Sequence, residues 1–247
     1  MARPSKMNRI GYSQFLLSSQ TNYTLTYFSE HAANISHDAI NHYLVKDKLS
    51  PKLLWEHVSA EIVFSNNGCI IFDDTVLDKD DSRNIELVRW QYSGNAGGVI
   101  RGIGIVTCVY YNPELNRFWA IDYRIYAPDQ DGKNKIEHVE EMLKKIHYQK
   151  QIPYQVVLMD TWYATLKIML LVEDLKKNFY CTIKTNRLAS RVDQRYNHRP
   201  VVELIWSEQE VQDGIRIHLN KFPKHYHVQL FRIAVTTNKT EFVVTND

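Results

Sequence analysis

Two short apolar runs, Ile70-Ile71-Phe72-Asp73-Asp74-Thr75 and Val156-Val157-Leu158-Met159-Asp160-Thr161, each end in acid followed by threonine. Both read as short buried strands. Carboxylates at strand ends sit on the rim of a sheet, where ligands bind in open α/β folds. If the two strands are neighbours, their long separation along the chain collapses to one strand spacing, ~4.8 Å. Carboxylates that close repel each other. A divalent cation relieves the repulsion, and hard oxygen ligands suit Mg²⁺ or Mn²⁺. Side chains alternate along a strand, so only one of Asp73 and Asp74 is expected to face such a site. A plainer alternative is that each acid caps a turn or the next helix, as Asp160 before Thr161 could.

The elements around these runs set the fold class. Residues 1–60 read as helical: one segment from Asn8 to His31, a second opening at the cap Ser36, and a third with Ser50 as cap and Pro51 at the first helical position. In the third, Leu54, Trp55 and Val58 share one face. From Gly68 the pattern turns to strands. Stretches 102–111 and 117–126 are β-rich and flank a turn at Asn112-Pro113. A helix follows over 134–149, with Ile136, Val139, Leu143 and Ile146 on its core face, and an amphipathic helix over 165–175. A further strand covers 179–184. The order β-β-β-α-β-α-β calls for a meander and then crossovers into a partly parallel sheet. Past Lys184 the pieces 201–206, 215–219, 227–235 and 241–245 read as mostly β.

Bulk properties exclude more than they identify. The net charge of +2 is too small to argue for nucleic acid alone. By region it splits into +2 for 1–60, −3 for 61–183 and +3 for 184–247. Cys69, Cys108 and Cys181 lack paired spacing, so a zinc site or disulfide framework is not supported, and free thiols fit a reducing compartment. No run reaches the roughly 18 apolar residues of a membrane span. A cytoplasmic protein without a membrane partner is the expectation.

Phe72-Asp73-Asp74-Thr75 and Met159-Asp160-Thr161-Trp162-Tyr163-Ala164 resemble the first and second carboxylate motifs of bacterial insertion-sequence DDE transposases. Tyr92-Ser93-Gly94-Asn95, with Gly97-Gly98 and Gly102-Ile103-Gly104 after it, is similar to the segment between them. The resemblance implies an α/β fold: a ribonuclease H-like mixed sheet with flanking helices over 61–184. A helical region over 1–60, a candidate for binding the DNA ends, precedes it, and a β-rich insertion over 185–247 follows. It makes the second acid of Asp-Asp-Thr catalytic, giving Asp74 and Asp160 as catalytic and metal-holding residues with Mg²⁺ or Mn²⁺. The implied activity is metal-dependent cleavage of element ends and strand transfer into target DNA by a homo-oligomer. The family's third ligand is a Glu on a later helix. Glu203, Glu208, Glu210 and Glu241 do not match its motif, so a C-terminally truncated copy is expected. A catalytically inactive DNA-binding fragment is the alternative, and an unrelated hydrolase using paired acids for general acid–base work is a third reading.

The densest basic stretch is Lys184, Arg187, Arg191, Arg195 and Arg199. Cations facing phosphates release counterions and add sequence-independent affinity. Lys184, Arg187 and Arg191 are the expected DNA contacts, against the reading of a solvated loop. Residues 36–58 could form a helix-turn-helix-like reader. Trp206 could stack on an extruded base, although a packed tryptophan is the commoner case. Trp162 and Tyr163 are expected beneath Asp160.

Overall fold

The computed structural model describes residues 7–19, 23–32, 35–80, 84–194, 197–237 and 239–247. The chain divides into two compact units, Met1–Ser50 and Pro51–Asp247. In the first, α1 (Arg9–Ser18), α2 (Leu25–His31) and α3 (His37–Lys46) carry side-chain caps from Asn8, Thr24 and Ser36. Each cap satisfies an amide that the first helical turn leaves unpaired. The segment expected as one helix over 8–31 is therefore two helices, each with its own cap. Met7, Phe15, Phe28 and Ile40 form a small core, with Phe15 stacked on Phe28 at 4.0 Å.

The second unit opens with α4 (Pro51–Val58), whose Trp55 and Val58 pack on the main core. Six elements then build the centre of a sheet: β1 (Cys69–Asp78), β2 (Arg89–Ser93), β3 (Gly98–Asn112), β4 (Arg117–Tyr126), β5 (Val156–Met159) and β6 (Asn178–Ile183). β3 lies antiparallel to β1 and β4, while β5 and β6 run parallel to β1. The parallel steps need crossovers. These are supplied by α5 (Pro128–Asp131) with α6 (Lys135–Lys144), and by α7 (Leu166–Asp174). The core order β4-β3-β1-β5-β6 is the ribonuclease H-like mixed sheet with flanking helices that the resemblance implies. Val139, Met142 and Leu143 of α6 are fully buried against it, each contributing about 1.5–3 kcal/mol of burial.

Three expectations about elements need correction. β2 was not foreseen. It forms a hairpin with β3 through Gly94–Gly97, where Gly97 takes a left-handed φ of +64°. Second, β1 does not end at Asp74. It continues to Asp78 because β3 pairs with it to the end, whereas its pairing with β5 stops at Phe72. Third, 201–206 is not a strand. After Pro200 the chain makes a 3₁₀ turn, Val201–Glu203, with Val201 and Leu204 buried and the residues between them exposed. Spacing of three suits that turn, not an alternating strand.

The chain past β6 extends the same sheet. β7 (Leu188–Arg191), β8 (Arg199–Pro200), α8 (Glu208–Asp213), β9 (Ile215–Leu219), β10 (Val228–Thr236) and β11 (Lys239–Thr245) follow. β11 pairs with β6, and the sheet runs on through β10, β9, β7 and β8. Cys108 and Cys181 are buried and Cys69 is half-buried, all as free thiols, and burial raises the pKa of each. No helix among the described residues is long and apolar enough to cross a membrane.

Candidate metal centre

Where β5 stops at Met159, β1 loses its neighbour on that side. The edge beside Asp73 and Asp74 is bare, and the loop after β5 brings Asp160 to it. One carboxylate oxygen each from Asp73, Asp74 and Asp160 lies within 4.8 Å of the others. The alternation expected to exclude Asp73 does not do so. With no strand alongside, both acids can turn around the edge toward Asp160.

Each acid is held by a different device. Asp160 Oδ1 accepts the Trp162 amide at 2.9 Å, so Asp160 does cap the turn that follows it, and this does not take it out of the cluster of three acids. Asp73 Oδ1 accepts the Asp74 amide at 2.8 Å. Asp74 accepts the Tyr163 hydroxyl at 3.1 Å and an ion-paired hydrogen bond from Lys135 Nζ. Lys135 is the first residue of α6, set by a capping box of Asn134 and Glu137. Thr161 and Thr182 hydroxyls join at 3.0 Å and brace the loop onto β6.

The electrostatics favour a cation. Burial first, then the charges of Asp74 and Asp73, push the Asp160 carboxyl above its ordinary pKa. Burial also raises Tyr163, with Asp74 adding to it, so its hydroxyl stays a proton donor. Three carboxylates and one ammonium leave roughly two negative charges, which one divalent ion would balance. The 4.8 Å spread is only slightly wider than the roughly 4 Å across an octahedral Mg²⁺ shell. The donor set therefore fits a hard divalent cation after small rotations.

Lys135 competes for Asp74 with any such ion. Lys135→Met should tighten Mn²⁺ binding roughly tenfold in isothermal titration, since it removes a positive charge from the ligand set. Weaker binding would mean that Lys135 instead holds Asp74 in its ligand geometry.

The acids line a hollow of about 280 Å³ with Tyr92, Ser93, Gly94 and Asn95 of the β2–β3 turn, and with Trp162. A second hollow of about 460 Å³ adjoins it and shares Trp162. Lys184 and Arg187 line this second hollow, joined by Lys221. Arg191 is committed elsewhere, ion-paired with Glu210 and Asp193. Arg195 lies outside the described residues, and Arg199 sits in β8.

Other placements differ from expectation. Tyr163 is fully buried; its amide donates to the Asp160 carbonyl at 3.2 Å, as a residue beneath Asp160 should, but its hydroxyl goes to Asp74, while Trp162 is 59% exposed. Trp206, by contrast, follows the commoner expectation and is partly buried against the core. Sequence reasoning missed Lys135 and Tyr92. Tyr163 at least belongs to the Met-Asp-Thr-Trp-Tyr-Ala run, whereas Lys135 carries no local signal beyond following a helix cap.

A family model described as DDE superfamily endonuclease matches residues 11–202, more than three quarters of the chain. No curated protein matches significantly. Among solved structures, a piggyBac transposase synaptic complex with hairpin DNA is similar at 12% identity and a TM-score of 0.45, over 85% of this chain and 43% of that one. The chain thus spans less than half of that transposase. Ciona intestinalis endonuclease V, in complex with a 24mer DNA containing an inosine followed by a ribo-adenosine, is similar at 11% identity and a TM-score of 0.37, over 78% of this chain and 80% of that one. The Mos1 transposase paired-end complex with left transposon end is similar at 12% identity and 0.27, over 72% and 60%.

Proposed function

The chain belongs to the DDE superfamily endonucleases, and from that premise we propose that it is an insertion-sequence transposase acting on element ends and target DNA as a homo-oligomer. The observation that carries this reading is the convergence of Asp73, Asp74 and Asp160 on one edge of the sheet. Divalent metal use goes with the family, and Mg²⁺ or Mn²⁺ is the proposed ion. Bound there, it would supply activation of the attacking hydroxyl and stabilisation of the leaving oxygen in an in-line displacement at phosphorus.

The chain's own residues do the rest. Asp74 and Asp160 hold the ion, with Asp73 as a further ligand, and Tyr163 fixes the Asp74 carboxylate by its hydroxyl. In cleavage a water oxygen bonds to phosphorus, the P–O3′ bond breaks and a 3′-hydroxyl is released. In transfer the oxygen of that hydroxyl bonds to a target phosphorus, the target P–O3′ bond breaks, and the proton given up by the attacker is matched by one taken up by the leaving 3′-oxygen. Lys184 and Arg187 take backbone phosphates beside the site. Changing both to Ala should flatten the dependence of log K on log[salt] for duplex DNA by about two. An unchanged slope would place the DNA on another face.

The direct test is nicking of DNA carrying the element's ends. Nicking with Mn²⁺ or Mg²⁺ that stops in EDTA is expected, and a protein that neither nicks nor binds a divalent ion would refute the assignment. A catalytically inactive DNA-binding protein is the second reading. It is favoured by the engagement of two candidate glutamates elsewhere, Glu210 with Arg191 and Glu241 with Lys239. Metal binding and DNA binding without any nicking would select it.

A further inference from the structure

One wall of the basic hollow is a turn, 219–222, that rests on a histidine. Asn220 and Lys221 of this turn line the hollow beside Lys184 and Arg187. Lys221 takes a left-handed φ of +70°, which a lysine adopts only when its surroundings impose it. Two hydrogen bonds close the turn around it. The Phe222 amide donates to the Leu219 carbonyl at 3.1 Å, and His218 Nε2 meets the Phe222 carbonyl at 3.1 Å. The Arg187 guanidinium lies over the Phe222 ring, 5.6 Å from its centroid. His218 thus supports a turn that carries Lys221 and packs against Arg187.

The partners fix the tautomers. A carbonyl only accepts, so His218 Nε2 carries a hydrogen, and in the neutral ring Nδ1 is bare. His198 Nε2 lies 3.1 Å from that Nδ1 and must be the donor. Such a pair takes up one extra proton without losing a bond. Placed on His198 Nδ1, the proton makes the contact between the rings charge-assisted, which strengthens it. A second proton, on His218 Nδ1, would face the His198 N–H and break the contact. The rings therefore titrate as a unit with a single easy step. Burial first, and the charge of His218 second, hold His198 below the ordinary histidine pKa, and no carboxylate offsets them. Facing the pair are His227, 6.2 Å from His218 ring to ring, Arg216 two residues earlier on β9, Arg199 next to His198, and Lys221 and Arg187 of the hollow. All are basic, so an anion in the hollow favours the proton.

We infer that His198 and His218 are a one-proton support for the basic hollow: the shared proton stiffens the turn that presents Lys221 and adds positive charge behind it, so phosphate binding there strengthens as pH falls. The inference rests on reading this hollow as a contact for DNA phosphates and adds its regulation by protons. Linkage makes the effect reciprocal. Duplex binding draws the proton onto the pair by the same factor by which the proton tightens the duplex. Both histidines are positioning residues, since they act through Lys221.

The test reads duplex affinity of the full chain without metal at pH 6 and pH 8. A fluorescently labelled 15-base-pair duplex is titrated by anisotropy at constant ionic strength. The wild type should bind roughly three- to tenfold tighter at pH 6, as a bound polyanion that raises the pair's pKa by up to about one unit requires. His218→Gln keeps the support without the titration, because its amide can donate to the Phe222 carbonyl while its oxygen accepts from His198. In that variant the ratio between the two pH values should fall below about twofold. His225→Gln, at an exposed histidine, should keep the wild-type ratio. Asp160, whose pKa is raised, titrates alike in all three proteins and drops out of the comparison. Calorimetry of the wild type in buffers of differing ionisation enthalpy needs no variant: about half a proton or more should be taken up per chain on duplex binding at pH 6.5, and no uptake would overturn the proposal. An equal ratio in wild type and His218→Gln would overturn the proton support and leave the phosphate contact intact. A wild type that binds the duplex at neither pH would overturn both.

Discussion

Asp160→Asn and Asp74→Asn should each lower metal-dependent nicking by at least about a thousandfold, or roughly 4 kcal/mol of barrier. Asparagine keeps the size of the side chain. At Asp160 it can still accept the Trp162 amide, and at Asp74 it can still accept the Tyr163 hydroxyl. The fold is therefore expected to persist, and what disappears is one negative charge in the ligand set. DNA affinity measured without metal should stay level or rise, because a carboxylate that repels phosphate has gone. That opposite movement separates loss of a ligand from loss of structure. Asp73→Asn should cost less, about tenfold, if Asp73 is the outermost of the three acids. Unchanged nicking in both Asp74→Asn and Asp160→Asn would remove the metal centre from the mechanism.

The parts of this site that local sequence could reveal are the parts made by single strands. β5 over Val156–Met159 falls where the apolar run places it, and α7 lies within the 165–175 stretch read as an amphipathic helix, with Thr165 as its cap. The convergence of Asp74 and Asp160 follows once β1 and β5 are neighbours. What local pattern could not give is anything that depends on where a partner strand ends. The inclusion of Asp73 follows from β5 stopping at Met159, and the length of β1 from β3 continuing beside it. Lys135 reaches Asp74 only because α6 packs across the sheet, a contact between residues 61 positions apart. The hairpin strand β2 was hidden for a related reason. Its pattern is inverted, with the polar Gln91 and Ser93 buried and the aromatic Trp90 and Tyr92 exposed, and its pairing relies on glycines in β3. A Cβ at Gly104 would collide with the side-chain amide of Gln91 in β2.

Asp122→Ala should destabilise the fold by about 3–5 kcal/mol at neutral pH, because it breaks a buried ion network from one side. Two irregularities meet at this residue. Between Cys108 and Val109 the β3–β4 register skips Ile121, and this bulge turns Ile121 and Asp122 inward together. After α6 the helix widens into a π-turn, Lys145–Lys150, which ends at Gln151 in a left-handed conformation. That turn delivers Lys150 to the Ile121 carbonyl at 2.9 Å and to Asp122 at 3.5 Å, over the Trp55 ring. Arg124 pairs with the same carboxylate. Asp122 is 4% exposed and Lys150 12%, so without the acid two cations face each other with little water. Burial already lowers the Lys150 pKa, while Asp122 opposes that shift. Removing Asp122 should depress it further. A lysine whose folded pKa lies below its unfolded value binds fewer protons when folded, so stability rises with pH between the two values. The penalty of Asp122→Ala relative to wild type should therefore shrink between pH 7 and pH 10 in urea melts. A loss under about 1 kcal/mol at pH 7 would show the network to be dispensable. A penalty that grew toward pH 10 would mean that Lys150 is not the uncompensated charge. The consequence reaches the site through one continuous piece of chain, since Lys150 ends the helical segment that Lys135 begins. Loosening its far end should also weaken the Lys135–Asp74 contact, and Mn²⁺ binding by Asp122→Ala should then tighten in the same direction as in Lys135→Met, at temperatures where the protein remains folded.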